Sequence, residues 1–346
     1  MDLANLLNLS ITSKASDLHL SPGLPPILRI DGNLKPIENT PILDSDTTRS
    51  LIHSVMNRKQ QLILDRDRQL DFTAFLSANA GFRVNAYYQI NGLAAAFRII
   101  PSHIPTLSEL RAPAIIQQLL TLSSGLILIT GSTGCGKSST LAAMIEYINI
   151  HAANHIITIE DPIEYIHQSK RSLVTQRQIH RDATNFKSAL RAALREDPDI
   201  LLVGEMRDLE TIRLALTAAE TGHLVMATLH ASSAPHAIHR IIDVFSAAEK
   251  HIIRNQLSES LQAVFCQTLL NRIDGGRVAA FEVMLGTLAI RNLIREDEIA
   301  HMHSVMQTNK NLGMCTMEQA IQELISNNLI SFDAGHSSRF QRTFFD

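Results

Sequence analysis

Two textures of apolar and polar positions divide the chain. Up to about residue 100 the apolar residues come in short runs, DLHL, PILRIDG, LDFTAFL, FRVNAYYQI and LAAAFRII, which read as strands. Gly23, Gly32 and Gly92 punctuate them as turns. Helical spacing covers Leu3 to Ser13 before these runs and Asp46 to Leu64 between the second and third. From about residue 112 longer apolar runs, GLILIT, HIITIE, DILLVGE and HLVMATL, alternate with helical patterns such as FKSALRAALRE and LETIRLALTAAE. Continuous apolar strands are buried on both faces, and their alternation with helices predicts a parallel sheet. Between HIITIE and FKSALRAALRE the pattern predicts a loop.

Further on, Ser246 and Glu249 have capping-box spacing for a long helix, and Asp274-Gly275-Gly276 is a turn before the strand-like VAAFEVML. Thr287 reads as the cap of one helix through AIRNLIREDEIAHMHSVM, and Thr316 with Gln319 as the capping box of a last helix to Leu324. Within AIRNLIRE the apolar positions 290, 293 and 294 share a face. Arg291, Arg295 and Glu296 fall outside it, and the segment reads as a packed, capped amphipathic helix. The predicted organisation is α/β: a small α+β domain over 1–100, a linker over 101–112, a parallel-sheet core over 113–288 and a helical tail over 289–346.

Length and composition agree. A chain of 346 residues with 45% hydrophobic and 19% charged residues suits about two globular domains. A net charge of −3 and a pI near 6.6 give no positive field to collect nucleic acid, and aromatic residues are only 5% with no tryptophan. That argues against a nucleic-acid translocase. The start, MDLANLLNLSITSK, has no basic segment before an apolar core, and no run reaches the ~18 apolar residues of a membrane span. Direct membrane insertion is not expected. Cys135, Cys266 and Cys315 are odd in number and far apart, which suits a reducing cytoplasm and supplies no metal pair.

Candidate chemistry centres on Gly131-Ser132-Thr133-Gly134-Cys135-Gly136-Lys137-Ser138, which matches G-x-x-x-x-G-K-[ST] between a buried strand and a helix. Glycines let the loop turn its N–H groups inward onto phosphate, and the helix N-terminus adds positive potential. Lys137 is expected at the β- and γ-phosphates of ATP, Ser138 on Mg2+, and Ser139 at the α-phosphate. Strand ends elsewhere deliver polar groups to the same rim, because ligands sit off the carboxyl ends of an open parallel sheet. HIITIE delivers Glu160, Asp161 and Glu164; DILLVGE delivers Glu205; HLVMATL delivers His230. Glu205 is the candidate to polarise the attacking water. Gly204 stands where an aspartate is usual, so Glu205 is expected to reach Mg2+ with Ser138 through water. His230 is expected to sense the γ-phosphate. His223, roughly 23 Å away along an extended strand, cannot touch the same phosphate. It is carried both as a nucleotide contact and as a structural or subunit-contact residue. His236 and His239 read as surface.

With these elements in order, the chain resembles the secretion-type hexameric ATPases, and among them the type IV pilus retraction motors. Carrying the resemblance are ASDLHL, RIDG, FRVNAYYQ, FRIIP, the phosphate loop, TIEDPIEY, SLVTQRQIHRD, ALREDPDILLVGEMRDLET, GHLVMATLHASSA and AIRNLIRE, over about residues 5 to 333. It implies a PAS-like N-terminal domain, a RecA-like core and a homohexamer. It further implies catalytic arginines Arg83 and Arg98 from the N-terminal domain, and a place at the inner-membrane base of the pilus, on a platform protein and beside an accessory retraction ATPase. The implied work is removal of pilin from the pilus, which is twitching motility, and it makes AIRNLIRE a coupling element whose apolar stripe packs while its charged residues, Arg291 among them, couple. The runner-up is a type IV secretion ATPase energising export; a non-hydrolysing partner of another motor is disfavoured by intact Lys137, Glu205 and His230. Departures from the family are Cys135 for a small hydroxyl residue, which an exposed thiol would make redox-sensitive, and Ala231, Ser124 and Glu298 for threonine, arginine and lysine. The tail AGHSSRFQRTFFD matches nothing interpretable.

Overall fold

Alternating apolar residues near the amino terminus do what the period demands, building an antiparallel ladder with one buried face. In the computed structural model, which describes residues 2–30, 32–77, 80–101 and 103–333, the chain forms two units. The first contains α1 (Leu3–Thr12), β1 (Asp17–Leu20), β2 (Ile27–Ile30), β3 (Asn33–Pro36), α2 (Ser45–His53), α3 (Arg58–Asp67), β4 (Gln69–Ser77), β5 (Ala80–Gln89) and β6 (Gly92–Ile99). Its strands pair antiparallel in the order β3-β2-β1-β6-β5-β4. Leu18, Leu20, Phe72, Phe82, Val84 and Phe97 fill the inner face, where Leu3, Leu6 and Leu7 of α1 join them.

Two details differ from the pattern reading. The expected single helix over 46–64 is two, because Asn57 starts a new one. Its side chain takes the Gln60 N–H while Gln60 returns a bond to the Asn57 N–H, both at 2.9 Å. Strand β3 was missed because all four of its residues are exposed and carry no alternation.

The second unit contains α4 (Ile115–Leu119), β7 (Gly125–Thr130), α5 (Lys137–His151), β8 (His155–Glu160), β9 (Leu173–Gln178), α6 (Phe186–Ala193), β10 (Ile200–Val203), α7 (Leu209–Glu220), β11 (Leu224–Leu229), α8 (Ala234–Asp243), α9 (Ala247–Ser260), β12 (Leu261–Asn271), β13 (Arg277–Leu285), α10 (Leu288–Arg295), α11 (Met302–Thr308) and α12 (Met317–Ser326). The sheet order is β13-β12-β7-β11-β10-β8-β9. Strands β12, β7, β11, β10 and β8 pair in parallel, and every residue of β7, β10 and β11 is buried, as continuous apolar runs require. This is the parallel-rich α/β core expected, with an antiparallel strand, β13, on its edge.

The described residues also correct several boundaries. The first unit takes in Asp161–Ile166 and Gln178–Thr184, so the domains are not contiguous in sequence. The loop expected after HIITIE contains β9. Ser246 does not cap the backbone of α9; its hydroxyl donates to the Glu249 carboxylate at 2.7 Å instead. Helix α9 passes at Ser260 straight into β12, an 11-residue strand the pattern had not separated. The expected single helix after Thr287 stops at Arg295, where Asp297 turns left-handed (φ 65°). Residues 334–346, the uninterpreted tail, lie outside the described residues.

Candidate nucleotide site

Register places the expected residues on one rim of the second unit. Leu229 of β11 stands opposite Thr130 of β7, so His230 and Gly131, the next residues, leave neighbouring strands side by side. Val203 of β10 stands opposite Ala227, and the Met206 N–H donates to the Thr228 carbonyl at 3.0 Å. That holds the segment carrying Glu205 alongside the end of β11. Glu205 and His230 meet: Nε2 of His230 lies 3.3 Å from Oε1 of Glu205, while Oε2 takes an ion pair from Arg207 at 2.6 Å. Arg240 donates to the His230 carbonyl.

Gly204 has a physical reason. A Cβ there would stand 3.0 Å from the Ile159 carbonyl oxygen and 3.2 Å from Cα of Glu160, so β8 crowds any side chain at this position. The acid of this strand is therefore Glu205, one residue further on.

The phosphate loop is shaped as its glycines require. Gly131, Gly134 and Gly136 have φ of 137°, 79° and 94°, values that side chains beyond Cα rarely allow. Ser132, Thr133 and Gly134 are exposed, and Lys137, Ser138 and Ser139 open α5 half-buried. The Lys137 ammonium donates to the carbonyls of Gly131 and Ser132 at 2.9 Å each, folded back over the loop it would leave for a phosphate. Cys135 does not meet the condition for a sensitive thiol, which is exposure. It is buried, and that burial pushes its thiol upward, with Lys137 opposing. Beside the loop lies a cavity of about 330 Å³ lined by Arg111, Gly136, Ser139, Gln267, Arg272 and Arg277, among others. Inward N–H groups, a lysine and the Ser138 hydroxyl at a helix N-terminus are the donor set that a triphosphate and Mg2+ need, so the residues present fit both.

Other candidates sit elsewhere. Arg83, Arg98 and Glu164 belong to the first unit. Arg83 pairs with Glu164 at 3.4 Å, and Arg98, largely exposed, pairs with buried Asp17 at 2.9 Å. Glu160 accepts from Thr158 at 2.6 Å and Gln176 at 3.1 Å. His223 lies at the amino end of β11, bonded through Nδ1 to the Ala218 carbonyl at 3.0 Å. Six strand residues part it from His230, so within one subunit it is a structural residue and not a contact of this phosphate loop. His236 bonds Ser232 and His239 pairs with Asp243, and no metal-binding group of His, Cys, Asp or Glu occurs among the described residues.

Arg291 has a structural role beside the coupling expected of it. Its guanidinium donates to the carbonyls of Gly286, Ser258, Glu259 and Leu261, at 2.5–3.0 Å, closing the end of α9 and the start of β12. Arg291 is therefore a structural clamp, whatever else it does. Sequence reasoning missed that role, and also missed Gln267, whose signal was a lone amide inside the apolar run AVFCQTLL.

Comparison with known proteins gives the family. The family model described as type II/IV secretion system protein matches residues 2–328. A Pseudomonas aeruginosa protein named type IV pilus retraction ATPase PilT is 54% identical over 331 residues, 96% of each chain. A Neisseria gonorrhoeae protein named twitching motility protein is 50% identical over 310 residues, 89% of this chain and 83% of that one. The crystal structure of a pilus retraction motor PilT with bound ADP superposes with a TM-score of 0.90 at 44% identity, covering 98% of this chain and 97% of that one.

Proposed function

This chain belongs to the type II/IV secretion system protein family, and from that premise we propose how its residues divide the work of an ATP-driven motor for pilus retraction. It is an ATPase, and the names of its near relatives favour retraction over the secretion alternative. One observation supports the chemistry above all: the Glu205–His230 contact on the rim that carries the phosphate loop.

The proposed division of labour follows the geometry. Lys137 leaves the Gly131 and Ser132 carbonyls for the β- and γ-phosphates, while loop N–H groups take the remaining oxygens. Ser138, and Glu205 through water, would hold Mg2+, which would supply charge neutralisation for the phosphates. Glu205 orients the attacking water, and His230, in contact with Glu205, reports the γ-phosphate to α8, whose Arg240 holds the His230 carbonyl. Arg83, steadied by Glu164, and Arg98 serve the nucleotide of a neighbouring copy in a homohexamer. The ring works at the inner-membrane base of the pilus against a platform protein, beside an accessory ATPase. No helix among the described residues is long and apolar enough to cross a membrane.

Deleting the gene and scoring surface pili tests the whole. Excess pili with lost surface motility is the expected result. Unchanged pili with failed export would move the protein to the secretion alternative.

A further inference from the structure

Gln267 is an oddity in the core. Strand β12 is apolar from Ala263 to Cys266 before it, and the residue is 3% exposed. An amide in such a place costs free energy unless its polar atoms are used. Three points on the phosphate loop and its helix converge on it. A Cβ on Gly131 would stand 2.4 Å from the Gln267 carbonyl oxygen. A Cβ on Gly136 would stand 2.9 Å from Gln267 Nε2. The Thr140 hydroxyl, one turn into α5 and fully buried, donates to Gln267 Oε1 at 2.9 Å. The outer glycines of G-x-x-x-x-G-K-S, five residues apart, therefore lie against the backbone and the side chain of one residue.

Register explains the convergence. Cys266 is the β12 partner of Thr130, the last residue of β7. Gln267 comes next, just where β7 gives way to the loop. The strand runs on as the wall against which the loop turns. Because Thr140 fixes Oε1, Nε2 is directed toward the Gly136 turn, and Gln267 lines the cavity beside it.

We propose that Gln267 is a positioning residue for the phosphate loop, holding the Gly136 turn and the first turn of α5 so that their N–H groups face a nucleotide before it arrives. The inference rests on the reading of this rim as the nucleotide site. It predicts a particular signature. The Thr140–Gln267 bond acts on nucleotide affinity, so KM should move and kcat should not.

Fluorescent ADP titration and steady-state ATPase assays on the full chain, on Thr140→Val, Gln267→Leu and the double variant, test it. Thermal melting of each runs alongside. Thr140→Val keeps the volume and removes only the hydroxyl. It should raise the Kd for ADP and the KM for ATP about fivefold, with kcat within about twofold, as loss of one buried hydrogen bond implies. Gln267→Leu should do the same or more, and the double variant should be no worse than Gln267→Leu alone. A lowered melting point with unchanged Kd would make Gln267 a packing residue and overturn the proposal; additive effects would overturn it too. If Gln267→Leu does not fold, Thr140→Val decides by itself, an unmoved Kd being fatal. A wild-type chain that binds no ADP would remove the nucleotide site and this inference together, whereas normal wild-type binding with an indifferent Thr140→Val removes the inference alone.

Discussion

The two ends of the second unit's sheet use charged and polar side chains in opposite ways. At the carboxyl end, Lys137 bonds two carbonyls of its own loop, Glu205 pairs with His230, and all three stay partly open to solvent. At the amino end, His223 and Arg291 are committed to main-chain carbonyls: one for His223, four for Arg291. The same residue type, histidine, stands at both ends of β11 with different duties. In a parallel sheet the carboxyl ends release loops whose N–H groups face outward, so a ligand collects there. The amino ends receive helix C-termini, whose orphan carbonyls demand donors. Substitutions at one end should cost turnover, and at the other stability.

The largest effect should come from Lys137→Ala. It removes the ammonium proposed to bind the phosphates, and fluorescent ADP should show no saturable binding at concentrations about a hundredfold above the wild-type Kd. Retained binding would break the comparison at its strongest point. Glu205→Gln should come next, lowering kcat by about a hundredfold or more with ADP affinity within about threefold. A rate within tenfold of wild type would strip Glu205 of its role.

These two residues were legible because each ends or follows an apolar run, and the run itself fixes which end of the strand faces the ligand. Gly131 to Ser138 was legible for the same reason, with glycine spacing added. Gln267 was not, since its strand follows α9 without a break and a helical pattern runs into it. The turn at Asp297 was hidden because Glu296-Asp297-Glu298 contains neither glycine nor proline. Nothing in composition marks Asp161–Ile166 or Gln178–Thr184 as belonging with the first unit. That is settled by long-range packing, such as Thr73 donating to the Ile163 carbonyl.

Stability should respond in the last turns of α5 and beside it. Glu146 accepts from His167 at 3.1 Å, Asn149 at 3.2 Å and Lys170, and these hydrogen bonds, His167 first, hold its carboxyl down to about 2. A carboxyl depressed on folding stabilises the native state above its unfolded value of about 4.3 and loses that contribution as pH falls through 2. The shift corresponds to about 3 kcal/mol. Glu146→Gln should therefore be less stable by up to that amount at pH 7 in urea denaturation, and should flatten the stability profile between about pH 5 and 2. Arg291→Ala should cost about 2 kcal/mol by releasing the end of α9, since hydrogen bonds from a charged donor to carbonyls are lost together. Lost motility in that variant therefore identifies coupling only if its melting point and ATPase rate are both unchanged.

The smallest effect carries the sharpest lesson. His223→Ala should leave ADP affinity and kcat of the isolated subunit within about twofold, because its ring serves the Ala218 carbonyl where α7 ends and β11 begins. His230→Ala, seven residues along the same strand, should lower kcat at least tenfold by releasing Glu205. Measured side by side under identical conditions, the pair isolates position from residue type. If assembly brings the amino end of β11 to a neighbour's nucleotide, His223→Ala will lower turnover only above the concentration at which the chain oligomerises. A loss that persists in dilute, monomeric protein would instead mean that the amino end takes part in chemistry, and the division between the two ends would not hold.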